Sequence, residues 1–231
     1  MSATLADKAP PVERVSEAVC EAFMSGVFEV QHPLIACHIT RLRDETTPPA
    51  EFRQLVNRLA SLLAYEATKD LLAEPVMVQT PLAKTEGRQL AQRIGLIPIL
   101  RAGLGMLEGM LRVVPEAGIG HIGIYRDEET LRPVPYFSRL PTNMSAAQVV
   151  LVDPMLATGN SACEAVSALK AQGAKRIQFL CLVACPPGIA QLQSTHPDVS
   201  IFTAAIDPEL NNVGYIVPGL GDAGDRYFGT G

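Results

Sequence analysis

The sequence has no apolar run that approaches the roughly 18 residues needed to cross a membrane. The one early apolar stretch, residues 12–30, is interrupted by five charged side chains: Glu13, Arg14, Glu17, Glu21 and Glu29. A signal peptide requires an uninterrupted apolar segment, which is missing here. We therefore expect a cytoplasmic protein with no membrane partner.

Cysteine is scarce, and none of the five residues forms a CxxC pair. They are Cys20, Cys37, Cys163, Cys181 and Cys185. Two of them lie in an apolar run, which favours buried, reduced thiols in a cytosolic protein over a disulfide framework. The four histidines show neither HxxxH nor Cys/His metal spacing, so we expect no metal site built by the protein itself.

Positive charge is also limited: 19 Lys and Arg face 24 Asp and Glu, for a net charge of −5 at pH 7. Affinity for nucleic acid comes mainly from Lys and Arg, and no stretch is rich in them, so we expect no nucleic-acid partner. A local basic pocket for a small phosphate ligand is compatible with this balance. The 231 residues, 48% of them hydrophobic, supply an ample core for one domain with or without an appendage.

Buried strands alternate with helices through most of the chain. The predicted strands include residues 28–31, 75–80, 94–100, 119–125, 148–152, 176–184 and 199–205. The predicted helices are residues 52–72, 104–113, 161–172 and 187–194. This pattern indicates an α/β fold with a mostly parallel central sheet and helices on both faces. Ligands of such folds bind outside the carboxyl ends of the strands, so the loops after Leu100, Val152 and Ala205 are the candidate site.

Three further segments fall outside this alternation. Residues 11–26 are compatible with a short helix. Residues 130–139 carry Pro133 and Pro135, which avoid central strands, and they predict an exposed hairpin or arm. The tail from Ile206 onward is rich in glycine and predicts mostly loop.

The loop after Val152 has the chemistry of a phosphate site. Residues 149–161 read VVLVDPMLATGNS: a buried strand, an acid at its tip, a turn of small residues and a helix start. The free N–H groups of a helix N-terminus bind anions, and Gly159 permits close backbone approach. Without further context, a plain strand–turn–helix connection explains this pattern about as well. The segment is neither a P-loop nor a GxGxxG motif.

Three other segments accompany this loop. Residues 98–106 read PILRAGLGM and place Arg101, followed by a turn of small residues with an exposed backbone, after a buried strand. Residues 125–130 read YRDEET, where Arg126 alone would more often form a surface ion pair. Residues 214–230 read GYIVPGLGDAGDRYFGT, a glycine-rich stretch that by itself suggests a loose tail.

Together these four segments resemble the type I phosphoribosyltransferases, in the same order along the chain. Most members of that family carry two consecutive acids at the strand tip. Here Pro154 follows Asp153, which matches the uracil phosphoribosyltransferase branch. The resemblance runs from about residue 28 to the last residue. It implies a transferase domain over residues 27–231, with a β-arm and a C-terminal hood over the base, and it leaves residues 1–26 as an N-terminal extension of open role.

The resemblance implies an enzyme that joins uracil to phosphoribosyl pyrophosphate, giving UMP and pyrophosphate. The catalytic residues would be Arg101, Asp153 and Asp222. The residues that bind phosphoribosyl pyrophosphate would be Arg101, Arg126, Asp153, Pro154, Met155, Leu156, Ala157, Thr158, Gly159, Asn160, Ser161 and Asp222. The residues that bind uracil would be Ile216, Gly221, Asp222 and Ala223. Magnesium would arrive largely on the phosphoribosyl pyrophosphate, and the resemblance further implies a homodimer or higher oligomer and a possible GTP effector.

Asn160 departs from the family pattern, which usually has glycine at this place. Asparagine is the commonest non-glycine residue at positive φ, and it is also an acceptable helix start. We therefore expect the phosphate loop to function with Asn160 in it.

Reading of uracil by the backbone has a physical basis. Uracil presents an acceptor, a donor and another acceptor along one edge, and a loop that offers N–H, C=O and N–H is its complement. Cytosine replaces one acceptor with an amino donor, which leaves a loop N–H without a partner.

Three alternative functions compete with that of a uracil transferase. A regulatory RNA-binding relative, the pyrimidine operon attenuation protein, would need a basic face, and the acidic balance disfavours it. A transferase for purine bases is disfavoured by the uracil-type tail. An inactive homologue is disfavoured by the presence of Arg101, Asp153 and Asp222.

Overall fold

The computed structural model describes residues 26–126 and 133–230. The strands are β1 (Val27–Glu29), β2 (Ala73–Gln79), β3 (Lys84–Leu90), β4 (Ile94–Leu100), β5 (Gly118–Ile119), β6 (His121–Arg126), β7 (Pro133–Arg139), β8 (Gln148–Val152), β9 (Met155–Leu156), β10 (Arg176–Ala184), β11 (Ser200–Ile206), β12 (Glu209–Leu210) and β13 (Ile216–Val217). The helices are α1 (Pro33–Arg43), α2 (Pro49–Ala67), α3 (Leu104–Leu111), α4 (Asn160–Ala171), α5 (Pro186–Thr195) and α6 (Ala223–Phe228).

The central sheet has the strand order β1-β11-β10-β8-β4-β6-β7. Its neighbouring strands are parallel except β6 and β7, which pair antiparallel at one edge. The register pairs Val152 with Pro98 on one side and with Leu180 on the other, so β4 and β8 end close together while β10 continues to Ala184. The predicted α/β fold with a mostly parallel sheet is confirmed.

Strands β4, β8 and β10 divide their side chains between two hydrophobic cores, because successive residues point to opposite faces of a sheet. Leu96, Val150 and Leu180 pack with α1, α2 and α3 on one face. Their neighbours in the chain pack with α4 and α5 on the other face. The sheet is therefore covered on both sides, which leaves the strand ends as the place for a ligand.

Helix α2 forms the largest part of the first core. Its buried residues recur at spacings of three and four, and Phe52, Leu59 and Leu63 are fully buried. The helix begins at Pro49, a residue suited to the first helical turn. It ends at Ala67, earlier than the predicted Leu72. At this end the Thr68 hydroxyl donates to the carbonyl of Ala64 and closes the last turn.

The hairpin that stands apart from the central sheet is β2–β3, and its location differs from the prediction. Its two strands pair antiparallel from Ala73↔Leu90 to Gln79↔Lys84 and form a sheet of their own. Residues 133–139 are the edge strand β7 of the central sheet. Prolines at 133 and 135 are tolerated there because an edge strand need not donate every N–H. Residues 130–132 of the predicted arm lie outside the described residues.

The tail is more ordered than the sequence indicated. Residues 206–230, which we call the hood, contain the antiparallel pair β12–β13 and the helix α6. The short helix predicted at residues 11–26 lies outside the described residues, apart from Gly26. Within the described ranges, no helix combines the length and apolar character required to pass through a bilayer.

Candidate active site

A cavity of about 330 Å³ opens beside the carboxyl ends of β4 and β8. One wall comes from residues 155–161, between β8 and α4, and the opposite wall comes from residues 213–224 of the hood. Ala102, just after β4, and Pro133, at the start of β7, complete the lining. The predicted phosphate segment and the predicted base segment therefore face a single cavity.

Asp153 stands at the tip of β8, where its backbone N–H donates to the carbonyl of Leu180 over 3.1 Å. The residue is partly exposed, and much of its carboxyl group is surrounded by protein atoms. Burial, opposed by a hydrogen bond from the backbone N–H of Met155 and assisted by the negative charge of Asp222, raises the pKa of Asp153 to about 7. Asp222 lines the cavity and Asp153 does not, yet the two carboxyl groups are near enough for the charge of Asp222 to affect the pKa of Asp153.

We call residues 153–161 the phosphate loop. It turns into α4 at Gly159, whose φ is +81°. A Cβ at this position would lie 2.7 Å from the carbonyl oxygen of Gly188, so glycine is required for both backbone conformation and space. No side chain caps the start of α4, which leaves the N–H groups of its first turn for an anion.

Asn160 is the first residue of α4, and it is exposed and lines the cavity. Its φ is not positive, because Asn143 is the one non-glycine residue with positive φ in the described ranges. Tolerance of positive φ therefore does not explain Asn160, since Gly159 provides the left-handed residue. The other explanation, an acceptable helix start, agrees with its position.

Arg101 follows β4, and its side chain is 64% exposed beside the cavity. Its guanidinium lies 3.6 Å from the carboxylate of Asp225 and 5.9 Å from the ring centre of Phe228, both on α6. The turn that carries Arg101 packs tightly on β8: a Cβ at Gly103 would lie 2.5 Å from the carbonyl oxygen of Val152. Arg101 is thus close to the phosphate loop and already in contact with the hood.

The hood wall presents few side chains and much backbone. Ile216 and Ala223 are buried, whereas Gly221 is exposed and has a φ of +73°. Asp222 begins α6, and its carboxylate accepts a hydrogen bond from the N–H of Asp225 over 2.8 Å. These four residues, which the sequence assigned to uracil, all line the cavity.

The remaining predicted residues divide into those that line the cavity and those behind it. Met155, Ala157, Thr158 and Ser161 line it with Asn160. Pro154, Leu156 and Gly159 lie behind them in the phosphate loop and shape its backbone. The backbone of Arg126 ends β6 opposite Pro133, which brings that position towards the same edge of the cavity.

Sequence reasoning missed three residues that belong to this region. Tyr215 and Val213 line the cavity from the hood, and Asp225 contacts Arg101. The signal for Tyr215 was present, because an aromatic ring beside Ile216 in a glycine-rich segment is a common ligand contact. Asp225 had no comparable signal, since its partner is more than a hundred residues away.

The acidic side chains at this site are too few to hold a metal ion in the absence of a bound substrate. No group of three His, Cys, Asp or Glu side chains with metal-binding spacing occurs in residues 26–126 and 133–230. Asp153 and Asp222 nevertheless offer two carboxylates beside a predicted phosphate site. Magnesium favours substrate phosphates, waters and one or two carboxylates, so these residues fit an ion that arrives with its substrate.

Comparisons with known proteins agree with this geometry. The family model described as uracil phosphoribosyltransferase matches residues 29–230. A protein named uracil phosphoribosyltransferase from Anoxybacillus flavithermus is 53% identical over 208 residues, which cover 90% of this chain and all of that one. One of the same name from Streptococcus pyogenes is 55% identical over 202 residues, or 87% of this chain and 97% of that one.

A solved structure shares the fold. The AQ2163 protein from Aquifex aeolicus superposes with a TM-score of 0.85 at 38% identity, covering 88% of this chain and 98% of that one. The matched residues include the phosphate loop and the hood, and this favours the uracil branch over the purine-base and RNA-binding alternatives. With its mostly parallel sheet and helices on both faces, the chain has the type I phosphoribosyltransferase fold and belongs to the uracil phosphoribosyltransferase family.

Proposed function

We propose that this cavity is where the protein transfers the phosphoribosyl group of phosphoribosyl pyrophosphate to uracil, giving UMP and pyrophosphate in pyrimidine salvage. The observation that supports the proposal most is that two chemically different segments line the same cavity of about 330 Å³. One wall is an uncapped helix start next to an acid, suited to the 5′-phosphate and ribose. The other is a backbone-rich segment suited to a flat base.

In the proposed arrangement, Asp153 accepts hydrogen bonds from the ribose hydroxyls and the phosphate loop binds the 5′-phosphate. Arg101 leaves Asp225 and binds the pyrophosphate through charge-assisted hydrogen bonds. Arg126 is proposed as a second contact to phosphoribosyl pyrophosphate on the strength of the family resemblance. Uracil contacts Ile216, Gly221 and Ala223.

The reaction breaks the bond between C1 of the ribose and the pyrophosphate oxygen, forms a bond from C1 to N1 of uracil, and releases the N1 proton to the departing pyrophosphate or to water. Negative charge grows on the leaving pyrophosphate, where Arg101 is placed to stabilise it. Bound magnesium would supply further positive charge to these phosphates. Asp222 extends from the hood towards phosphoribosyl pyrophosphate, so it links the two substrates. Most of the rate enhancement then comes from orientation and electrostatics.

The test is formation of UMP from uracil and phosphoribosyl pyrophosphate in the presence of magnesium. We expect UMP and pyrophosphate in equal amounts, with hypoxanthine and guanine giving no product. An electrophoretic shift assay with pyrimidine-operon leader RNA should show no complex. Activity with a purine base, or an RNA shift at nanomolar protein, would contradict the proposal.

The location of uracil has its own test. Ala223 is 5% exposed in the cavity wall, and valine at this position adds two methyl groups to the space proposed for the base. Ala223→Val should raise KM for uracil at least tenfold. Ala117→Val lies outside the cavity lining and is the control for an added side chain. An unchanged KM for uracil in a folded Ala223→Val variant would place the base elsewhere.

We propose that the protein acts as a homodimer or higher oligomer. The hairpin β2–β3 supports this, because it stands apart from the central sheet and exposes Met77, Leu82 and Leu90 by 65%, 96% and 49%. Tyr136 and Phe137 on β7 are also exposed. Apolar groups gathered in this way are typical of interfaces. Sedimentation at micromolar concentration should give at least a dimer, and a monomer would contradict it.

We also propose magnesium dependence, a GTP effector, a cytoplasmic location and a division into a 1–26 extension and a 27–231 transferase domain. A cleft lined by Arg53, Arg58 and Arg112 offers the positive charge that a nucleotide effector requires. The free thiols of Cys37, Cys163, Cys181 and Cys185 agree with a reducing compartment, although Cys37 is exposed rather than buried as predicted. Activity assays with and without magnesium and GTP test the first two points.

A further inference from the structure

Arg43 and Asp207 form an ion pair beneath the hood. Arg43 ends α1 and Asp207 follows β11, so the pair joins elements that lie 164 residues apart in the chain. Each guanidinium nitrogen Nη1 and Nη2 donates to one carboxylate oxygen over 2.6 Å, which is the two-pronged arrangement that arginine and aspartate favour. The Asp207 side chain is 6% exposed and that of Arg43 is 23% exposed.

The pair holds both backbone groups of one hood residue, Gly219. The N–H of Gly219 donates to Asp207 Oδ2 over 2.8 Å, and its carbonyl accepts from Arg43 Nη1 over 3.0 Å. Gly219 has a φ of +59°, and a Cβ there would overlap the carbonyl oxygen of Ile216. Its conformation is therefore fixed from two sides, by the ion pair and by the backbone of Ile216.

Gly219 lies between the two parts of the proposed uracil contact. Ile216 precedes it by three residues and Gly221 follows it by two. The next residue, Leu220, is held by Arg226, whose Nη1 donates to the carbonyls of both Leu220 and Leu42 over 2.8 Å. The segment that should read the base is thus tied through its backbone to the end of α1.

Neither Arg43 nor Asp207 is among the residues that line the cavity. Any effect on the base must therefore pass through the backbone of residues 216–221. We propose that Arg43 and Asp207 are positioning residues for uracil: they set the directions of the hood N–H and C=O groups that read the base. The inference rests on the proposed location of uracil, and it predicts a defect in uracil recognition with recognition of phosphoribosyl pyrophosphate preserved.

Conservative substitutions distort this arrangement while keeping most of the packing. Lysine at position 43 keeps the positive charge. A single ammonium group, however, cannot reproduce both the bidentate hydrogen bonds to Asp207 and the third hydrogen bond to the carbonyl of Gly219. Asparagine at position 207 turns one acceptor oxygen into an NH2 donor. Since both carboxylate oxygens of Asp207 accept from N–H groups, one donor then faces another donor.

The test compares Arg43→Lys and Asp207→Asn with Arg41→Lys in the full-length protein. Arg41 lies on the same helix two residues earlier, and its ion pairs with Asp44 and Glu51 do not involve the hood. Steady-state kinetics should give an increase of at least tenfold in KM for uracil in both test variants, with Asp207→Asn the larger. KM for phosphoribosyl pyrophosphate should change less than threefold, and Arg41→Lys should match the wild type within twofold.

Thermal melting and calorimetric binding of phosphoribosyl pyrophosphate with magnesium report whether each variant is folded. The inference is overturned if KM for uracil is unchanged in folded variants. It is also overturned if both KM values rise together as the melting temperature falls, since that describes a general structural role. If the wild type makes no UMP at all, both the proposed function and this inference are wrong. If the wild type is active and the variants show no defect specific to uracil, only this inference is wrong.

Discussion

The guanidinium of Arg101 lies 3.6 Å from the carboxylate of Asp225, which connects the proposed pyrophosphate side of the cavity to the helix that Asp222 begins. Both side chains are substantially exposed, at 64% and 38%, so the pair contributes little stability. A pyrophosphate carries more charge and more acceptor oxygens than one carboxylate. Arg101 can therefore exchange Asp225 for the substrate at small cost.

Replacement of Arg101 tests its proposed role at the leaving group. Arg101→Gln should reduce kcat/KM by about 10²-fold, because charge-assisted bonds to the pyrophosphate are lost as its charge develops. Arg112→Gln is the matched control: this arginine is 66% exposed and also paired with an acid, Glu108, away from the cavity. In assays without GTP, where the proposed effector cleft that includes Arg112 is not in use, the control should stay within twofold of the wild type. Equal effects of the two substitutions would contradict a catalytic role for Arg101.

The raised pKa of Asp153, about 7, should appear in the pH profile. If the carboxylate binds the ribose hydroxyls, protonation removes an acceptor, so kcat/KM for phosphoribosyl pyrophosphate should fall about tenfold per pH unit below 7. Asp222→Asn removes one cause of the raised pKa and should move the inflection to lower pH. Ionisation of phosphoribosyl pyrophosphate affects the wild type and Asp222→Asn equally, so it cannot cause a difference between their inflection points. Identical inflections would show that Asp153 is not the titrating group.

The same shift has a consequence for stability, with a defined sign. Asp153 binds its proton more tightly in the folded state than in the unfolded chain, where the pKa is 3.8. Its contribution to stability therefore declines as pH rises from about 4 to about 7. Asp153→Asn lacks this decline, so its melting temperature should gain a few degrees on the wild type between pH 5 and pH 8.

Asp198 offers the matched control for that measurement. A hydrogen bond from Lys170 lowers the pKa of Asp198, so its titration lies below this pH range. The difference in melting temperature between Asp198→Asn and the wild type should therefore be the same at pH 5 and pH 8. A constant difference for Asp153→Asn as well would refute the raised pKa.

Selectivity for the base tests backbone reading in the hood. Uracil should exceed cytosine in kcat/KM by at least about 10³-fold, because the amino group of cytosine meets a buried N–H without a partner. The comparison needs only the wild-type protein and two substrates. Comparable values for the two bases would refute backbone reading and leave the transferase activity itself in place.

Asn160 should be compatible with phosphate binding because it begins α4 in helical conformation. Asn160→Gly should change KM for phosphoribosyl pyrophosphate by less than about tenfold, which corresponds to roughly 1.4 kcal/mol. Gly159→Ala is the informative contrast, since the φ of +81° and the carbonyl of Gly188 exclude a side chain there. A much tighter KM in Asn160→Gly would mean that the asparagine side chain obstructs the phosphate.

The local pattern of apolar residues was sufficient to predict a strand or helix where that element buries a continuous set of its own apolar side chains. Strand β10 was predicted with the bounds observed, and β4 and β8 likewise, because each contains a run of at least four apolar residues. Helix α1 was missed, although Pro33 at its first turn was a start signal, because only Ile35, Ile39 and Leu42 are buried in it. The hairpin β2–β3 was incompletely predicted because β3, with the sequence KTEGRQL, is mostly polar and shows no alternating apolar pattern.

The candidate site was predictable as a set of segments but not as a set of contacts. The phosphate loop and the hood have distinctive local sequences, and the structure brings them to one cavity. The partners of Arg101 and Arg43 lie 124 and 164 residues further along the chain, and no periodicity encodes them. Only the packing of α1 and α6 against the sheet determines those pairs.

The separation between α1 and the hood also bears on the order in which the molecule assembles. The bonds from Arg43 to Asp207 and from Arg226 to Leu42 close loops of 164 and 184 residues. Contacts between distant residues form late, because the chain entropy lost on closing the loop is offset only after the intervening elements have packed. During refolding, we therefore expect the neighbouring strands β4, β8 and β10 and the phosphate loop to be in place while the hood is still open. Such a molecule would bind the sugar phosphate before it gained the ability to choose a base.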